Sequence, residues 1–446
     1  MDLDRLSTLI LGEKGGLKAV LVQRSGLLLI LKVVGAGLAF LSQIILARVL
    51  NGNVYGDYLY SLTLITGIVT LSRLGLDGVL LRFLPIYQAN RDWYLFAKLR
   101  QKSQGWVLRM SVASSSIALL SIQIFGSHIN PDLKQTLLSG CLIIPLFSLA
   151  GIQQTVIQSL GRVTTSQIPD LIIRPLALTG LVVTLGYVTQ SPLTSSQVMI
   201  ATLVVTIVNY GYGKLYLHWL VKKDNDSNHP LDRQENWFKA SLPLLASNLF
   251  LTILGQTDIL LLGFFKGTEV AGVYITVIKV VSLLLFGISS INAIIVPLIS
   301  KTYATGDREK LQNLVSTSSK IIVCFSAPVS LLLIIFGSTI LGWFGSNFQL
   351  GYSALVILVV GQFFNSFIGS VGLLLSMTGF QLEFMSILLV SCILSLVLSI
   401  ALIPNFGLNG AALSTSSIVI FWNILMWIQV RKSLHINTIA FHPLIR

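Results

Sequence analysis

The chain has few charged residues. Aspartate, glutamate, lysine and arginine make up 11% of its 446 residues, whereas a soluble domain carries about 25%. Hydrophobic residues account for 54% of the chain, and the mean hydropathy is +0.81. Long apolar runs recur without the polar–apolar alternation of transmembrane β-strands. Because a helix needs about 20 residues to cross a bilayer, we predict an all-α polytopic membrane protein and exclude a soluble globular domain.

Cysteine and histidine are also scarce. The three cysteines, Cys141, Cys324 and Cys392, lie far apart in apolar segments and form no CxxC motif. The five histidines are isolated, and no HExxH motif occurs. These patterns give no support to a disulfide framework, a zinc site or haem attachment. We predict no metal site and no cofactor, and we interpret each cysteine as a small buried hydrophobic residue.

Twelve apolar segments predict twelve transmembrane helices, numbered here as spans 1 to 12. The residues before span 1 lack the cleavage site of a signal peptide, and the longest hydrophilic break separates six spans from six. The spans are expected at residues 26–48, 55–78, 105–127, 135–158, 169–189, 197–220, 240–263, 271–298, 314–336, 351–375, 383–403 and 408–430. The predicted domains are a cytoplasmic N-terminal segment (1–25), an N-lobe (26–220), a cytoplasmic linker (221–239), a C-lobe (240–430) and a cytoplasmic tail (431–446).

The distribution of basic residues predicts the orientation of the spans. If both termini lie in the cytoplasm, the cytoplasmic segments hold 20 lysine and arginine residues, and the outer segments hold two, Lys134 and Lys266. Such an excess is typical of cytoplasmic loops. Attraction of these residues to anionic lipid headgroups also accounts for the net charge of +13. Membrane lipids are therefore expected partners, and nucleic acid is not.

The two halves of the chain resemble each other at an offset of about 216 residues. "VYGDY" (Val54–Tyr58) opens span 2, and "VAGVY" (Val270–Tyr274) opens span 8. Because each half holds an even number of spans, the halves have the same orientation, as in transporters built from parallel repeats. We therefore expect a substrate path between the lobes.

Charged residues inside the spans are the first candidates for a functional site, because a lysine or arginine at mid-bilayer costs about 2.5–3.5 kcal/mol. Lys32 shares a helix face with Gln43 in span 1, and Lys279 lies on a face of small and polar residues in span 8. We interpret both lysines as lining a cationic cavity, although each side chain could instead extend to the bilayer surface. The full set of predicted cavity residues is Lys32, Lys279, Arg174, Arg73, Gln43, Asn248, Gln362 and Asn365.

Two aspartates, Asp77 and Asp258, are predicted to act in gating or ion coupling. Asp77 follows Arg73 by four residues, so an ion pair within span 2 is its simplest interpretation. Arg174 lies near the cytoplasmic end of span 5, where its side chain could reach the surface. Asp258 lies within the apolar stretch Leu251–Tyr274. We interpret it either as half of a salt bridge that closes the outer side between the lobes or as a carboxylate for a coupling ion.

Three stretches resemble those of one family. "TDILLLGFFKGTEVAGVY" (Thr257–Tyr274) is similar to the span 7/8 hairpin of bacterial oligosaccharide and polysaccharide flippases. These flippases belong to the multidrug/oligosaccharidyl-lipid/polysaccharide (MOP) exporter superfamily. "LARVLNGNVYGDYLYSLTLI" (Leu46–Ile65) resembles their span 1/2 hairpin, and "IPNFGLNGAALST" (Ile403–Thr415) resembles the hairpin before their last span. The likeness covers nearly the whole chain in order.

The resemblance implies a V-shaped pair of six-helix lobes, with spans 1, 2, 7 and 8 lining a central cavity. It also implies a flippase, not an enzyme, that moves undecaprenyl-pyrophosphate-linked oligosaccharide to the outer leaflet of the bacterial inner membrane for surface polysaccharide or O-antigen assembly. The cationic faces suit the pyrophosphate, and Tyr210 and Tyr212 suit the sugars. Other polysaccharide-assembly proteins are expected partners, and coupling to H⁺ or Na⁺ is left open.

Three alternatives remain. A multidrug exporter of the same superfamily would favour acidic cavity residues, whereas the basic candidates are more numerous here. An exporter of the peptidoglycan precursor lipid II would suit the same cavity, but such relatives commonly have more than twelve spans. A membrane polysaccharide polymerase or ligase usually needs a large outer loop. The longest outer loop here, residues 337–350, is short and has no titratable side chain.

Overall fold

The computed structural model describes residues 17–221, 237–304 and 306–439 of the chain. Within these ranges the chain forms helices joined by short turns and no β-strand, which confirms the predicted all-α class. The α-helices are α1 (Leu17–Val49), α2 (Gly52–Ser72), α3 (Leu76–Ala89), α4 (Trp93–Phe125), α5 (Pro131–Cys141), α6 (Ile143–Ser159), α7 (Val163–Ile168), α8 (Arg174–Thr189), α9 (Ser195–Val221), α10 (Trp237–Lys266), α11 (Thr268–Ala304), α12 (Arg308–Gly342), α13 (Tyr352–Ile368), α14 (Val371–Met377) and α15 (Gln381–Leu434).

The apolar helices confirm a polytopic membrane protein. Among the described residues, nine helices are long and apolar enough to cross a membrane, or up to eleven if each bent pair counts as one span. The total of twelve spans and the side of the termini stay predictions. The predicted boundaries shift at both ends of the chain, because α1 already begins at Leu17 and α15 continues to Leu434. Most of the predicted linker, 221–239, lies outside the described residues.

Helix α15 is 54 residues long but is folded into two arms. Its backbone is not helical at Gly407, where φ is 54° and ψ is −126°. The hydroxyl oxygens of Ser399 and Ser414 lie 2.9 Å apart, and a methyl group on Gly410 would lie 2.4 Å from the carbonyl oxygen of Leu402. The two arms therefore pack side by side. This turn lies where the sequence predicts the hairpin between spans 11 and 12.

Several of the predicted spans are interrupted in the structure. α2 and α3 form a pair bent by 48°, where Leu74 (φ 53°) and Gly75 (φ 69°) have left-handed backbone conformations. α5 and α6 are bent by 43°. A π-helix, Pro169–Ile173, separates α7 from α8. Proline has no backbone N–H to donate, and π-segments often occur at functional sites.

The helices pack as a first group, α1–α9, and a second group, α10–α15. The groups meet mainly where α2 contacts α10 and α11. We call the end with the α1–α2 turn at Asn51 and the α10–α11 turn at Gly267 the contact end. The opposite end, with turns at Arg91 and Gly306, is called the basic end. The excess of lysine and arginine predicts that the basic end faces the cytoplasm.

The two groups approach most closely near the contact end. A methyl group on Gly272 would lie 2.6 Å from Cα of Gly56, so the two backbones are in direct contact. The Oγ1 hydroxyl of Thr268 donates to Asp57 Oδ1 across the groups at 2.5 Å. Arg48 donates to the carbonyl oxygens at the end of α12. Nearer the basic end, Trp237 Nε1 donates to Tyr87 Oη at 2.9 Å.

Candidate functional site

Arg73 lies in the break between α2 and α3, and its guanidinium points into the first group. Its Nη2 donates to the carbonyl oxygen of Phe147 at 3.2 Å, and its Nη1 lies 3.9 Å from Asp77 Oδ2. Gly151 makes room for the group, because a methyl there would lie 1.9 Å from Nη2. The predicted pairing of Arg73 with Asp77 is therefore present, although it spans a break instead of one helix. Asp77 also accepts a hydrogen bond from Thr155 at 3.0 Å.

Arg174 is the first residue of α8, directly after the π-helix. Its guanidinium carbon lies 4.6 Å from the centre of the Phe147 ring. Such a cation–π contact contributes about 0.5–2 kcal/mol, depending on how far the groups are desolvated. The half-buried side chain therefore packs against Phe147 of α6.

Arg73 and Arg174 line the same pocket within the first group. The pocket has about 500 Å³ of empty space, including its mouth. Arg73 Nε and Asn209 Oδ1 are buried and have no hydrogen-bond partner in the described part of the structure. Tyr212 also lines the pocket, and its ring is stacked on that of Tyr216 at 6.0 Å. The other lining residues are Phe147, Ala150, Gly151, Gln154, Ile157, Ser166, Pro169, Asp170, Thr206 and Gly213.

The residue types in this pocket indicate the ligands it can bind. Two guanidiniums recognise phosphate or carboxylate groups through charge-assisted hydrogen bonds. The side-chain amide oxygen of Asn209 can accept a hydrogen bond from a hydroxyl group. The ring of Tyr212 offers an apolar surface. Asp170 lines the pocket as well, so the cationic character rests on the two arginines together. This combination suits an anionic group attached to a polyhydroxylated one.

Lys279 forms a hydrogen bond between the two groups. Its Nζ, on α11, donates to Gln43 Oε1 on α1 at 2.6 Å. Tyr55 Oη donates to the same oxygen at 2.8 Å. Neither Lys279 nor Gln43 lines the pocket of the two arginines, but Ser42, which precedes Gln43 on α1, donates to the carbonyl oxygen of Pro175, which follows Arg174 on α8. The structure thus places Lys279 beside the pocket, at the boundary of the two groups.

Asp258 is held by hydroxyl groups inside the second group. Its Oδ2 accepts hydrogen bonds from Tyr274 Oη at 2.7 Å and from Thr415 Oγ1 at 2.6 Å. Among the described residues it forms no salt bridge, which corrects the interpretation of an ion pair between the lobes. The partners of the Asp258 carboxylate are hydroxyl groups instead of a cation, because Tyr274 of α11 and Thr415 of α15 pack against Asp258 of α10. A role in gating or coupling stays a prediction for Asp258, as for Asp77.

The remaining predicted cavity residues are dispersed. Lys32 is half-buried on α1, one turn from Gly35, which packs against Leu171 of the π-helix. Asn365 Nδ2 donates to Gln362 Oε1 at 3.2 Å within α13. Lys32, Asn248, Gln362 and Asn365 do not line the pocket of the two arginines.

Sequence reasoning missed several pocket residues. Phe147, Gln154 and Asn209 lie in predicted spans 4 and 6, but a single aromatic or amide side chain in an apolar run does not reveal what it faces. Pro169 was the one sign in the sequence of a break at this site, because proline has no backbone N–H to donate to a helical hydrogen bond.

The fold and this site together define a class: a polytopic helical membrane protein of two helix groups, the first of which contains a pocket lined by two arginines. The chain matches the polysaccharide biosynthesis protein family over residues 21–303, and it belongs to that family. It is 24% identical to the probable low-salt glycan biosynthesis flippase of Haloferax volcanii over 395 residues, which cover 87% of this chain and 79% of the relative.

Two solved structures have the same fold as this chain. An inward-facing multidrug resistance MATE family transporter of the MOP superfamily has a TM-score of 0.73 and 14% identity, with 90% of this chain and 94% of that chain covered. The lipid II flippase MurJ in an inward closed conformation also has a TM-score of 0.73 and 14% identity, with 91% and 87% covered. The chain therefore shares the fold of these two transporters, and this is the kind of fold that the resemblance in the sequence implies.

Proposed function

We propose that the chain is a flippase that moves undecaprenyl-pyrophosphate-linked oligosaccharide from the cytoplasmic to the outer leaflet of the bacterial inner membrane. The observation that carries this proposal is the pocket shared by Arg73 and Arg174. In this assignment the two guanidiniums bind the pyrophosphate. The amide of Asn209 and the ring of Tyr212 contact the first sugar, and the lipid tail stays in the bilayer.

The position of the pocket supports loading from the cytoplasm. Its residues come from α6 between Phe147 and Ile157, from the π-helix near the basic end, and from the middle of α9 between Thr206 and Gly213. At the contact end the groups touch through Gly56 and Gly272. With the basic end in the cytoplasm, the pocket lies on the side from which the cargo starts, and the opposite exit is closed. Transport then requires the two groups, which we equate with the predicted lobes, to separate at the contact end.

The comparisons support the coarser part of this proposal, a flippase that acts in glycan biosynthesis. The chain belongs to a polysaccharide biosynthesis family, a relative is named as a probable glycan biosynthesis flippase, and a protein of the same fold is named as a lipid II flippase. The two arginines distinguish this proposal from export of cationic drugs, which guanidiniums would repel. Other polysaccharide-assembly proteins remain proposed partners.

The proposal is tested by reconstituting the purified chain in proteoliposomes with a fluorescent undecaprenyl-pyrophosphate-linked oligosaccharide. Arg174→Gln is expected to lower the flipping rate at least tenfold, because hydrogen bonds from a charged group contribute about 1.5–3 kcal/mol. The matched control is Arg82→Gln. Arg82 also lies over an aromatic ring, at 5.4 Å from the centre of the Phe83 ring, but it is outside the pocket.

The control variant is expected to flip the lipid at the wild-type rate. Equal rates for Arg174→Gln and Arg82→Gln would contradict the assignment of the pocket. If the wild-type protein does not flip the oligosaccharide lipid but exports cationic dyes, the result would favour a multidrug exporter. Selective flipping of lipid II would favour the exporter of the peptidoglycan precursor.

A further inference from the structure

Gln43 connects the two helix groups through a single oxygen atom. Its Oε1 accepts one hydrogen bond from Lys279 of the second group and another from Tyr55 of the first. Tyr55 is fully buried, so its hydroxyl holds the amide in place. The Lys279 ammonium is therefore bound to a fixed but uncharged acceptor.

The charge of Lys279 has no carboxylate partner among the described residues. A neutral amide gives the ammonium a hydrogen-bond acceptor but no opposite charge, whereas a phosphate oxygen gives it both. An anionic group that entered this region would therefore be a better acceptor for Lys279 than Gln43 is.

Hydrogen bonds of Ser42 join α1, which carries Gln43, to the first turns of α8, which carries Arg174. Ser42 Oγ lies 3.3 Å from the carbonyl oxygen of Pro175, to which it donates, and 2.6 Å from Thr179 Oγ1. Ser42 precedes Gln43 on α1, and Pro175 follows Arg174 on α8. The amide that holds Lys279 and the guanidinium at the pocket thus lie on two helices in direct contact.

We propose that Gln43 is the resting acceptor for Lys279 and that the phosphate group of the substrate displaces it. When an anion occupies the Arg174 side of the pocket, the ammonium of Lys279 turns from Gln43 to the phosphate. This exchange breaks a hydrogen bond between the two groups while the site is loaded, so the empty protein is held closed at the contact end and the loaded protein is released. The exchange rests on the proposed function, because it requires an anionic cargo.

The experiment measures the separation of the groups at the contact end. Spin labels are attached at Asn51→Cys and Lys266→Cys, both exposed positions on opposite groups, in a variant whose three native cysteines are alanine. Distances between the labels are measured by double electron–electron resonance spectroscopy in lipid nanodiscs, with and without farnesyl diphosphate. Farnesol, which has the same chain and no charge, is the ligand control.

In the wild-type background, farnesyl diphosphate is expected to increase the population with a long distance, and farnesol is not. Gln43→Met removes the acceptor with little change in length. In the ligand-free protein, this variant should raise the ratio of the long-distance to the short-distance population about tenfold. The expected size of the change follows from the loss of one hydrogen bond with a charged donor. Lys279→Met should have the same effect. The double variant should open no further than either single one, because both remove the same bond.

Gln256→Met is the matched control variant. Gln256 Nε2 also donates across the groups, to Thr66 Oγ1 at 3.3 Å, but it does not contact Lys279. This variant is expected to keep the response to farnesyl diphosphate.

If the ligand-free Gln43→Met variant has the same distance distribution as the ligand-free wild type, the bond between Gln43 and Lys279 does not hold the groups together. This result would overturn the proposal whether or not the diphosphate binds. Wild-type protein that binds the diphosphate without any change in distance would overturn the exchange. Wild-type protein that fails to bind the diphosphate would overturn the exchange and the proposed cargo together. An opening of Gln43→Met without ligand would even then support the resting bond between the groups.

Discussion

At the scale of single residues, Asp258 shows how a carboxylate is accommodated in an apolar stretch. Its side chain is 3% exposed, and a buried charge is costly unless it is hydrogen-bonded. Tyr274 Oη and Thr415 Oγ1 both donate to Oδ2. Because these donors lie on α11 and α15, the carboxylate on α10 joins three helices of the second group. Its contribution to stability should therefore depend on the hydroxyls more than on a cation.

Replacing one of these hydroxyls should destabilise the protein. Thr415→Val keeps the shape of the side chain but removes a donor to the carboxylate, so the free energy of unfolding should fall by about 1.5–3 kcal/mol. Thermal unfolding of the detergent-solubilised protein measures the effect. Thr184→Val is the control, since Thr184 Oγ1 is exposed and donates only to carbonyl oxygens of its own helix. Equal losses of thermal stability in the two variants would show that Thr415 does not hold Asp258.

The sequence predicts which residues of the site are charged, but it does not predict their partners. Arg73, Arg174 and Lys279 were candidates because ionised groups are costly inside a membrane. Arg73 and Arg174 line one pocket only because α2 breaks at Leu74 and the π-helix precedes α8. The bond from Lys279 to Gln43 joins residues 236 positions apart. Hydropathy and helical spacing describe one helix at a time, so neither contains this information.

At the scale of secondary-structure elements, hydropathy predicts where helices cross the membrane and fails at the breaks within them. The break after α2 depends on two consecutive residues with positive φ. Gly75 is compatible with that conformation, but Leu74 is not a residue from which a sequence would predict it. The fold back at Gly407 was predicted, because Gly407 lies in the gap between the apolar segments 383–403 and 408–430. Breaks that coincide with a gap in hydrophobicity are therefore predictable, and breaks inside an apolar run are not.

The crossing of α2 and α11 gives a prediction at this scale. Gly272→Ala would place a methyl 2.6 Å from Cα of Gly56, and a change of rotamer cannot relieve a contact with backbone. The two groups should therefore separate at the contact end without ligand, which the same pair of spin labels would detect as a longer distance. Gly255→Ala is the control, because nothing lies within 4 Å of a methyl at that position. A Gly272→Ala variant with the wild-type distance would contradict this close approach.

At the scale of the whole molecule, the contact end reflects the internal repeat. Gly56 and Gly272 occupy the third position of "VYGDY" and "VAGVY", and they touch each other across the two groups. Equivalent residues meet in this way at a two-fold axis, as in a symmetric dimer. The predicted axis along the membrane normal would thus pass through this close contact between the two groups. Separation there can open a path between the groups without deforming either one.

The last prediction concerns the effect of the membrane potential on the flipping rate. A pyrophosphate diester carries two negative charges, and its outward movement from a negative interior would release about 4–5 kcal/mol per 100 mV, at roughly 2.3 per charge. The flipping rate in proteoliposomes should therefore rise with a potassium diffusion potential that is positive on the destination side and fall when the potential is reversed. A monophosphate-linked lipid, with half the charge, should respond about half as steeply. If the potential has no effect on either lipid, a cation must move with the cargo and balance its charge, and the driving force would then be an ion gradient instead.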